Sequence, residues 1–348
     1  MAEKVLVAMS GGVDSSVAAY LLQQQGYACI GVTMRLYENE TAGIPRGHTC
    51  CSLDDVEDAR AVAYDLGMPY YVLNFTEEFD EKVIRKFVQV YQNGGTPNPC
   101  IDCNRYLKFD HLLNRARELG CDYIATGHYV QRWQDENGRW GLRKNDDPGK
   151  DQSYVLYSLT QDQLAHTLFP LGGMHKDAVR AIAEEQGLCN ARKHDSQDIC
   201  FVPDGDYVSF LRQYGGVEPV PGDFLDSEGR VLGRHRGMEC YTIGQRKGLG
   251  VSANAPQYVL GKDPDRNAVI LGEDNRLYTR ELTAERVNWL SVPEPDRPLS
   301  VTAKTRYSQR EAEATAEPLL GGRFRLRFRE PQRAVTPGQF AVLYDGED

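Results

Sequence analysis

The 348-residue sequence has no apolar run approaching the roughly 20 residues that a membrane-spanning helix requires. That excludes a helical membrane protein. No secretory pattern precedes the first strand signal, since Met-Ala-Glu-Lys leads straight into Val-Leu-Val, so the expected compartment is the cytoplasm, with no membrane partner. The cysteines (29, 50, 51, 100, 103, 121, 189, 200 and 240) are odd in number and lack the dense spacing of a secreted disulfide scaffold. In a reducing compartment such thiols serve as core filler, metal ligands or catalysts. An excess of positive charge is also missing. With 40 Lys and Arg against 50 Asp and Glu, the net charge of −10 argues against indiscriminate adhesion to nucleic acid, while leaving room for a local basic face. There is no internal repeat and no low-complexity tract. The Gly-x-x-x-x-Gly-Lys-Ser/Thr loop that grips a γ-phosphate is absent as well.

What is present begins at residues 9–16, Met-Ser-Gly-Gly-Val-Asp-Ser-Ser. They follow an apolar strand pattern, Val5 to Ala8, and open a helical pattern with Val17, Ala18, Leu21 and Leu22 on one face. Gly11 and Gly12 permit a tight bend in which successive N–H groups face one concavity. The helix end adds a positive dipole, and Ser10, Ser15 and Ser16 add hydroxyls, so the turn suits phosphate. The stretch resembles the pyrophosphate-binding loop of ATP pyrophosphatases, which cleave ATP between the α and β phosphates. On that resemblance Ala8, Met9, Ser10, Gly11, Gly12, Val13, Asp14, Ser15 and Ser16 are expected to bind ATP. The bland alternative, a merely tight turn, would not require two glycines and three hydroxyls.

The first two hundred residues alternate strand and helix patterns. Strands are expected at 28–34, 69–75 (buried) and 122–126, and helices at 54–66, 77–91 and 104–119. The expected fold class is α/β, a parallel sheet with helices on both faces. Ligands of such sheets lie beyond the carboxyl ends of the strands, which makes Met34 and Gly127 walls of an adenine pocket. From about residue 207 short β runs alternate with Gly and Pro turns, which predicts small, mainly antiparallel β domains. The expected boundaries are 1–205 for the ATP-binding catalytic domain, 206–273 for a central β domain and 274–348 for a barrel-like C-terminal domain.

Cys100 and Cys103 are expected just before a helix, which would favour thiolate. Cys200 follows at the end of the α/β half and could fold over the same pocket. Cys29, Cys121, Cys189 and Cys240 read as buried small hydrophobes; Cys50 and Cys51 remain undecided. The polar surroundings of Cys103 and Cys200 point to chemistry.

The set of motifs resembles the tRNA-specific 2-thiouridylase family, which thiolates the wobble uridine. The matching stretches are Met9–Ser16, Thr96–Phe109, Ala125–Tyr129, Lys150–Tyr154, Ser196–Phe201, Thr242–Gly250, Lys304–Tyr307 and Val335–Gln339. The resemblance implies that the uracil C2 oxygen attacks the α-phosphate of ATP, with Mg²⁺ on the phosphates oriented by Asp14 and serine hydroxyls. It also implies a sulfur-donor protein that loads Cys200 as a persulfide, and a Cys103 that helps release the sulfur, ending in a Cys103–Cys200 disulfide. The chain stops soon after Val335–Gln339, where the family continues into a glycine-rich tail, so a clipped C-terminus is expected. One departure is Cys100, where the best-known family pattern has aspartate. Cys100, Cys103 and Cys200 together could hold a [4Fe–4S] cluster with one open iron, an alternative route for the sulfur.

The resemblance further implies tRNA contacts near the anticodon from Asn98, Pro99, Lys150, Asp151, Gln152, Arg306 and Tyr307. Cations beside an aromatic suit phosphate contacts and base stacking. Arg323, Arg325, Arg327 and Arg329 alternate with Phe324, Leu326 and Phe328, the period of a half-buried strand with one basic face. Residues 301–333 carry eight Lys and Arg against four Glu. A solvated strand face is the competing reading of that row. A competing function shares the ATP loop: an amide-forming synthetase, which would need an ammonia source that nothing here suggests. A third, an RNA-binding protein that merely senses ATP, leaves the thiols without a purpose.

Overall fold

The computed structural model describes residues 2–37, 53–195, 199–202, 205–253 and 255–348. Cys50, Cys51, residues 196–198 of the Ser196–Phe201 motif and the Gly- and Pro-containing stretch up to residue 49 lie outside the described residues.

β1 (Lys4–Ala8) is an almost wholly apolar strand, as expected for one covered on both faces. It pairs in parallel with β2 (Ala28–Arg35) on one side and β4 (Tyr123–Ala125) on the other. β3 (Tyr70–Asn74) adds in parallel to β2. After the hairpin of β5 (Gln131–Gln134) and β6 (Trp140–Arg143), β7 (Thr167–Leu168) adds in parallel to β4. The order is therefore β3-β2-β1-β4-β7. Alternation along β1 sends Leu6 into one apolar cluster and Val5 and Val7 into the other, so the sheet separates two cores.

Two expectations for this half need correction. The strand at 69–75 is an edge strand with Tyr71 and Val72 exposed, since among the described residues no strand pairs beyond it. The helix expected from 104 begins at Pro99 and runs unbroken through wider π-helical turns at Cys103–His111 to Glu118, so Cys103 lies inside it. Proline at the first helical position needs no N–H partner, which explains the earlier start.

The remainder is β-rich after one short helix, Tyr207–Gln213. β8 (Gly222–Leu225), β9 (Val231–His235), β10 (Tyr258–Asp263) and β11 (Ala268–Gly272) form a sheet in the order β10-β11-β8-β9. The β8–β11 pair is parallel, an exception to the antiparallel expectation, made possible by the long connection between the two strands. β12 (Tyr278–Glu285), β13 (Leu299–Lys304), β14 (Ala312–Leu319), β15 (Arg323–Arg333) and β16 (Val342–Tyr344) form an antiparallel sheet in the order β12-β15-β14-β13-β16. Among the described residues no helix is long and apolar enough to cross a membrane.

Candidate active site

The glycine turn joins the carboxyl end of β1 to α1 (Val13–Gln24). Gly11 has φ +73°, and a Cβ there would lie 2.7 Å from the Asp55 Cα, so this turn admits only glycine. Gly12 precedes α1 and supplies no side-chain cap, and among the described residues the first helical N–H groups are left available to a ligand. The Ser15 and Ser16 hydroxyls both donate to the Gly12 carbonyl at 3.1 Å, and the Ser10 N–H donates to Ser15 Oγ at 3.2 Å. Met9, Val13 and Met34 are buried in the apolar clusters, so Met9 and Val13 offer a ligand their backbone only. Gly127, just past β4, meets α1 so closely that a Cβ would sit 2.8 Å from the Asp14 carbonyl carbon and the Ser15 nitrogen.

Asp14 is partly exposed at the head of α1 and heavily engaged. Lys176 Nζ donates to its two oxygens at 2.7 and 2.9 Å, and the Tyr129 hydroxyl donates at 2.6 Å. Burial first, then the bond to Asp14, pushes the Tyr129 phenol well above its ordinary range and keeps it a donor. Lys176 also reaches Asp195 at 2.8 Å, and Asp195 further accepts from Lys150 at 2.7 Å and Arg180 at 2.9 Å. Burial raises the Asp195 pKa, but bonds from Lys150 and Lys176 outweigh it and bring the value to about 2. The turn itself lacks a lysine, yet the fold delivers a cation to it from the helix Lys176–Glu185. Sequence reading missed Lys176, Lys193 and Asn190 at the turn, because separations of 162 to 182 residues leave no local signal.

Cys103 is buried, whereas Cys200 is half-buried and Cys100 exposed. Cys103 belongs to the same apolar cluster against which Cys200 packs, so the two thiols share one side of the parallel sheet. The Tyr37 hydroxyl donates to the Cys200 carbonyl at 2.9 Å and anchors that segment. Among the described residues no three His, Cys, Asp or Glu side chains gather as metal ligands. Asp102 is buried against Lys86 at 2.6 Å, and burial raises its pKa despite that partner. Its carboxylate faces inward, toward the Lys86 ammonium. Cys29, Cys121 and Cys240 are buried as expected. Cys189 is not: it lies exposed on the turn after Lys176–Glu185, against the carbonyl of Asp58.

His128, beside Gly127, is buried with Phe109 and Phe169, and Thr126 Oγ1 lies 2.8 Å from Nδ1. Burial lowers its pKa well below the ordinary range, so the ring stays neutral.

The residues expected to meet tRNA divide into two kinds. Tyr307 is 46% exposed, packs edge-on against Tyr154, and donates to the Asp151 carbonyl at 3.3 Å. Arg306 is exposed, Asn98 half-buried and Pro99 buried. Asp151 is buried and accepts from the N–H groups of Asn145 and Ser153 and from the Ser153 hydroxyl. Gln152 accepts from the Tyr129 N–H at 2.9 Å. These two brace the loop that presents Lys150. Three arginines of the row are paired across the sheet: Arg327 with Glu281 at 2.7 Å and Glu317 at 3.4 Å, Arg329 with Glu313 at 2.6 Å, and Arg325 with Glu317 at 3.7 Å.

Residues 3–204 match the tRNA methyl transferase HUP domain, residues 208–273 the tRNA methyl transferase PRC-barrel domain, and residues 279–348 the aminomethyltransferase beta-barrel domain. The tRNA-specific 2-thiouridylase MnmA of Moorella thermoacetica is 54% identical over 98% of this chain and 96% of its own. That of Acetivibrio thermocellus is 50% identical over 99% and 97%. Among solved structures, the U34-tRNA thiolase NcsA of Methanococcus maripaludis with its [4Fe–4S] cluster is similar at a TM-score of 0.36 and 19% identity, covering 62% of this chain and 70% of that one, too distant to transfer a ligand set. Identity at this level across the full length, with the glycine turn and the thiols in place, assigns the chain to the tRNA-specific 2-thiouridylase family.

Proposed function

We propose that the protein is an ATP-dependent sulfurtransferase that replaces the C2 oxygen of the wobble uridine in tRNA with sulfur. The carrying observation is that a phosphate-type turn at the carboxyl end of β1 and two thiols on one apolar cluster occur in a chain about half identical to 2-thiouridylases. The C2 oxygen is a poor leaving group. Its attack on the α-phosphorus of ATP expels pyrophosphate and converts it into an adenylate. The uncapped N–H groups at Gly12 and the head of α1 would receive the phosphates, with Ala8 to Ser16 as the cradle and Met34 and Gly127 as the adenine walls. Asp14, partly exposed at the turn, and the serine hydroxyls fit a Mg²⁺ ion, which would offset phosphate charge when bound. Lys176 holds the Asp14 carboxylate in place.

The terminal sulfur of a Cys200 persulfide, loaded by a donor protein, then attacks C2, and AMP leaves. The Cys103 thiolate attacks Cys200 Sγ, the S–S bond breaks, sulfur stays on C2, and a Cys103–Cys200 disulfide forms that a thiol reductant resets. Burial of Cys103 and half-exposure of Cys200 support this division, since the loaded thiol must meet a donor. Asn98, Pro99, Lys150, Asp151, Gln152, Arg306 and Tyr307 would frame the anticodon side. For Asp151 and Gln152 the support is indirect, through bracing the loop.

Pyrophosphate release with purified tRNA tests the proposal. Wild type should release pyrophosphate only with tRNA; Asp14→Ala should nearly abolish release; Cys200→Ser and Cys103→Ser should retain it while losing thiolation. Release indifferent to tRNA would favour the amide-forming synthetase. Iron-dependent activity of protein purified without oxygen would favour the cluster route.

A further inference from the structure

The carbonyl of Gly11 lies in the middle of the phosphate turn and is held from outside. Asn190 Nδ2 donates to it at 2.9 Å and Lys193 Nζ at 3.2 Å. Both belong to the segment that leads from the helix Lys176–Glu185 toward Cys200. A trans peptide points its C=O and N–H in opposite directions, so fixing the Gly11 carbonyl fixes the Gly12 N–H facing the other way. Asn190 Nδ2 also donates to Ser16 Oγ at 2.9 Å, and Ser16 in turn donates to the Gly12 carbonyl. Both peptide units of the turn are thereby set by one amide group.

Lys193 adds a second brace. Its ammonium bonds Asp55 at 2.6 Å and Asp58 at 2.5 Å on α2 (Leu53–Asp65), the helix whose backbone crowds Gly11. Burial disfavours that ammonium, but the two carboxylates outweigh it and raise its pKa. Asn190 is almost fully buried, and its Oδ1 has no hydrogen-bond partner among the described residues. A buried orphan acceptor is costly, so the orientation that serves Gly11 and Ser16 is maintained against that cost.

We infer that Asn190 and Lys193 are positioning residues for the ATP turn: they hold the Gly11 carbonyl outward so that the Gly12 N–H faces the phosphates. This rests on the reading that ATP binds at residues 8–16. Neither side chain need touch the nucleotide.

The test is ATP binding and steady-state pyrophosphate release in the full-length protein with tRNA. Asn190→Ala and Lys193→Gln should each raise KM for ATP about tenfold, the scale of losing one buried or charge-assisted hydrogen bond. The rate at saturating ATP and the tRNA affinity should change less than about twofold, and Lys193→Arg should recover most of the ATP affinity. Equal ATP affinity in wild type and both variants would overturn the inference, as would parallel losses in ATP and tRNA binding, the mark of general destabilisation. Wild type that binds no ATP, or an Asp14→Ala variant that releases pyrophosphate normally, would overturn the underlying reading instead.

Discussion

At the scale of single residues, the site is a set of charges that hold one another. Asp195 is its hub, joining Lys150 of the expected tRNA loop to Lys176 and, through Lys176, to Asp14. Its folded pKa of about 2 lies below the ordinary 3.8, so the folded state binds this proton less readily than the unfolded chain. The stabilisation is therefore complete above about pH 4 and is lost as pH falls toward about 2. Urea unfolding across that window should show a drop in stability that shrinks in Lys150→Met, where one of the groups lowering the Asp195 pKa is gone. An identical acid profile in the variant would show that Lys150 does not hold Asp195 in solution.

At the scale of elements, sequence pattern and structure part ways where partners are distant. The strand–turn–helix at residues 5–22 was legible because apolar alternation, two glycines and a helical face are all local signals. So was the parallel sheet, although the two-residue strand β7 carries too little pattern to be seen. The parallel β8–β11 pair and the partners of the arginine row were not legible, since strand neighbours follow from topology. β15 carries the alternation read from its sequence, but its basic face meets Glu281 of β12 and Glu313 and Glu317 of β14. Three of the four arginines of the row are thus held by carboxylates across the sheet. Arg325→Ala and Arg327→Ala should leave tRNA affinity within about twofold and the salt dependence of binding unchanged. Tyr307→Ala should cost ~1–3 kcal/mol, the usual worth of an aromatic stacked on a base. Filter binding over a salt series distinguishes them, and the opposite ranking would return the arginine row to the RNA interface.

At the scale of the whole molecule, the C-terminal domain is fastened to the catalytic one at several points. Arg139 donates to the carbonyls of Trp289, Leu290 and Val292, Asn288 to those of Tyr157 and Leu159, and the Tyr154 hydroxyl to that of Phe340. The contact closest to the chemistry involves the motif Val335–Gln339, which sequence resemblance flagged without assigning it a task. Gln339 Nε2 donates to the carbonyls of Thr96 at 2.5 Å and Pro97 at 3.5 Å, in the loop that enters the helix carrying Cys100 and Cys103. A domain expected to grip RNA thus also holds the loop that leads to Cys103, the thiol proposed to release the sulfur. Removing the amide frees two carbonyls at the start of that loop while leaving the Tyr307 surface intact. Gln339→Ala should therefore slow thiolation several-fold in single turnover while tRNA affinity stays within about twofold, because the loss falls on the placement of Cys103. Gel-shift affinity beside a quench-flow measurement of thiolated tRNA makes the comparison, and an unaltered rate would mean that the helix Pro99–Glu118 sets Cys103 without help from the C-terminal domain.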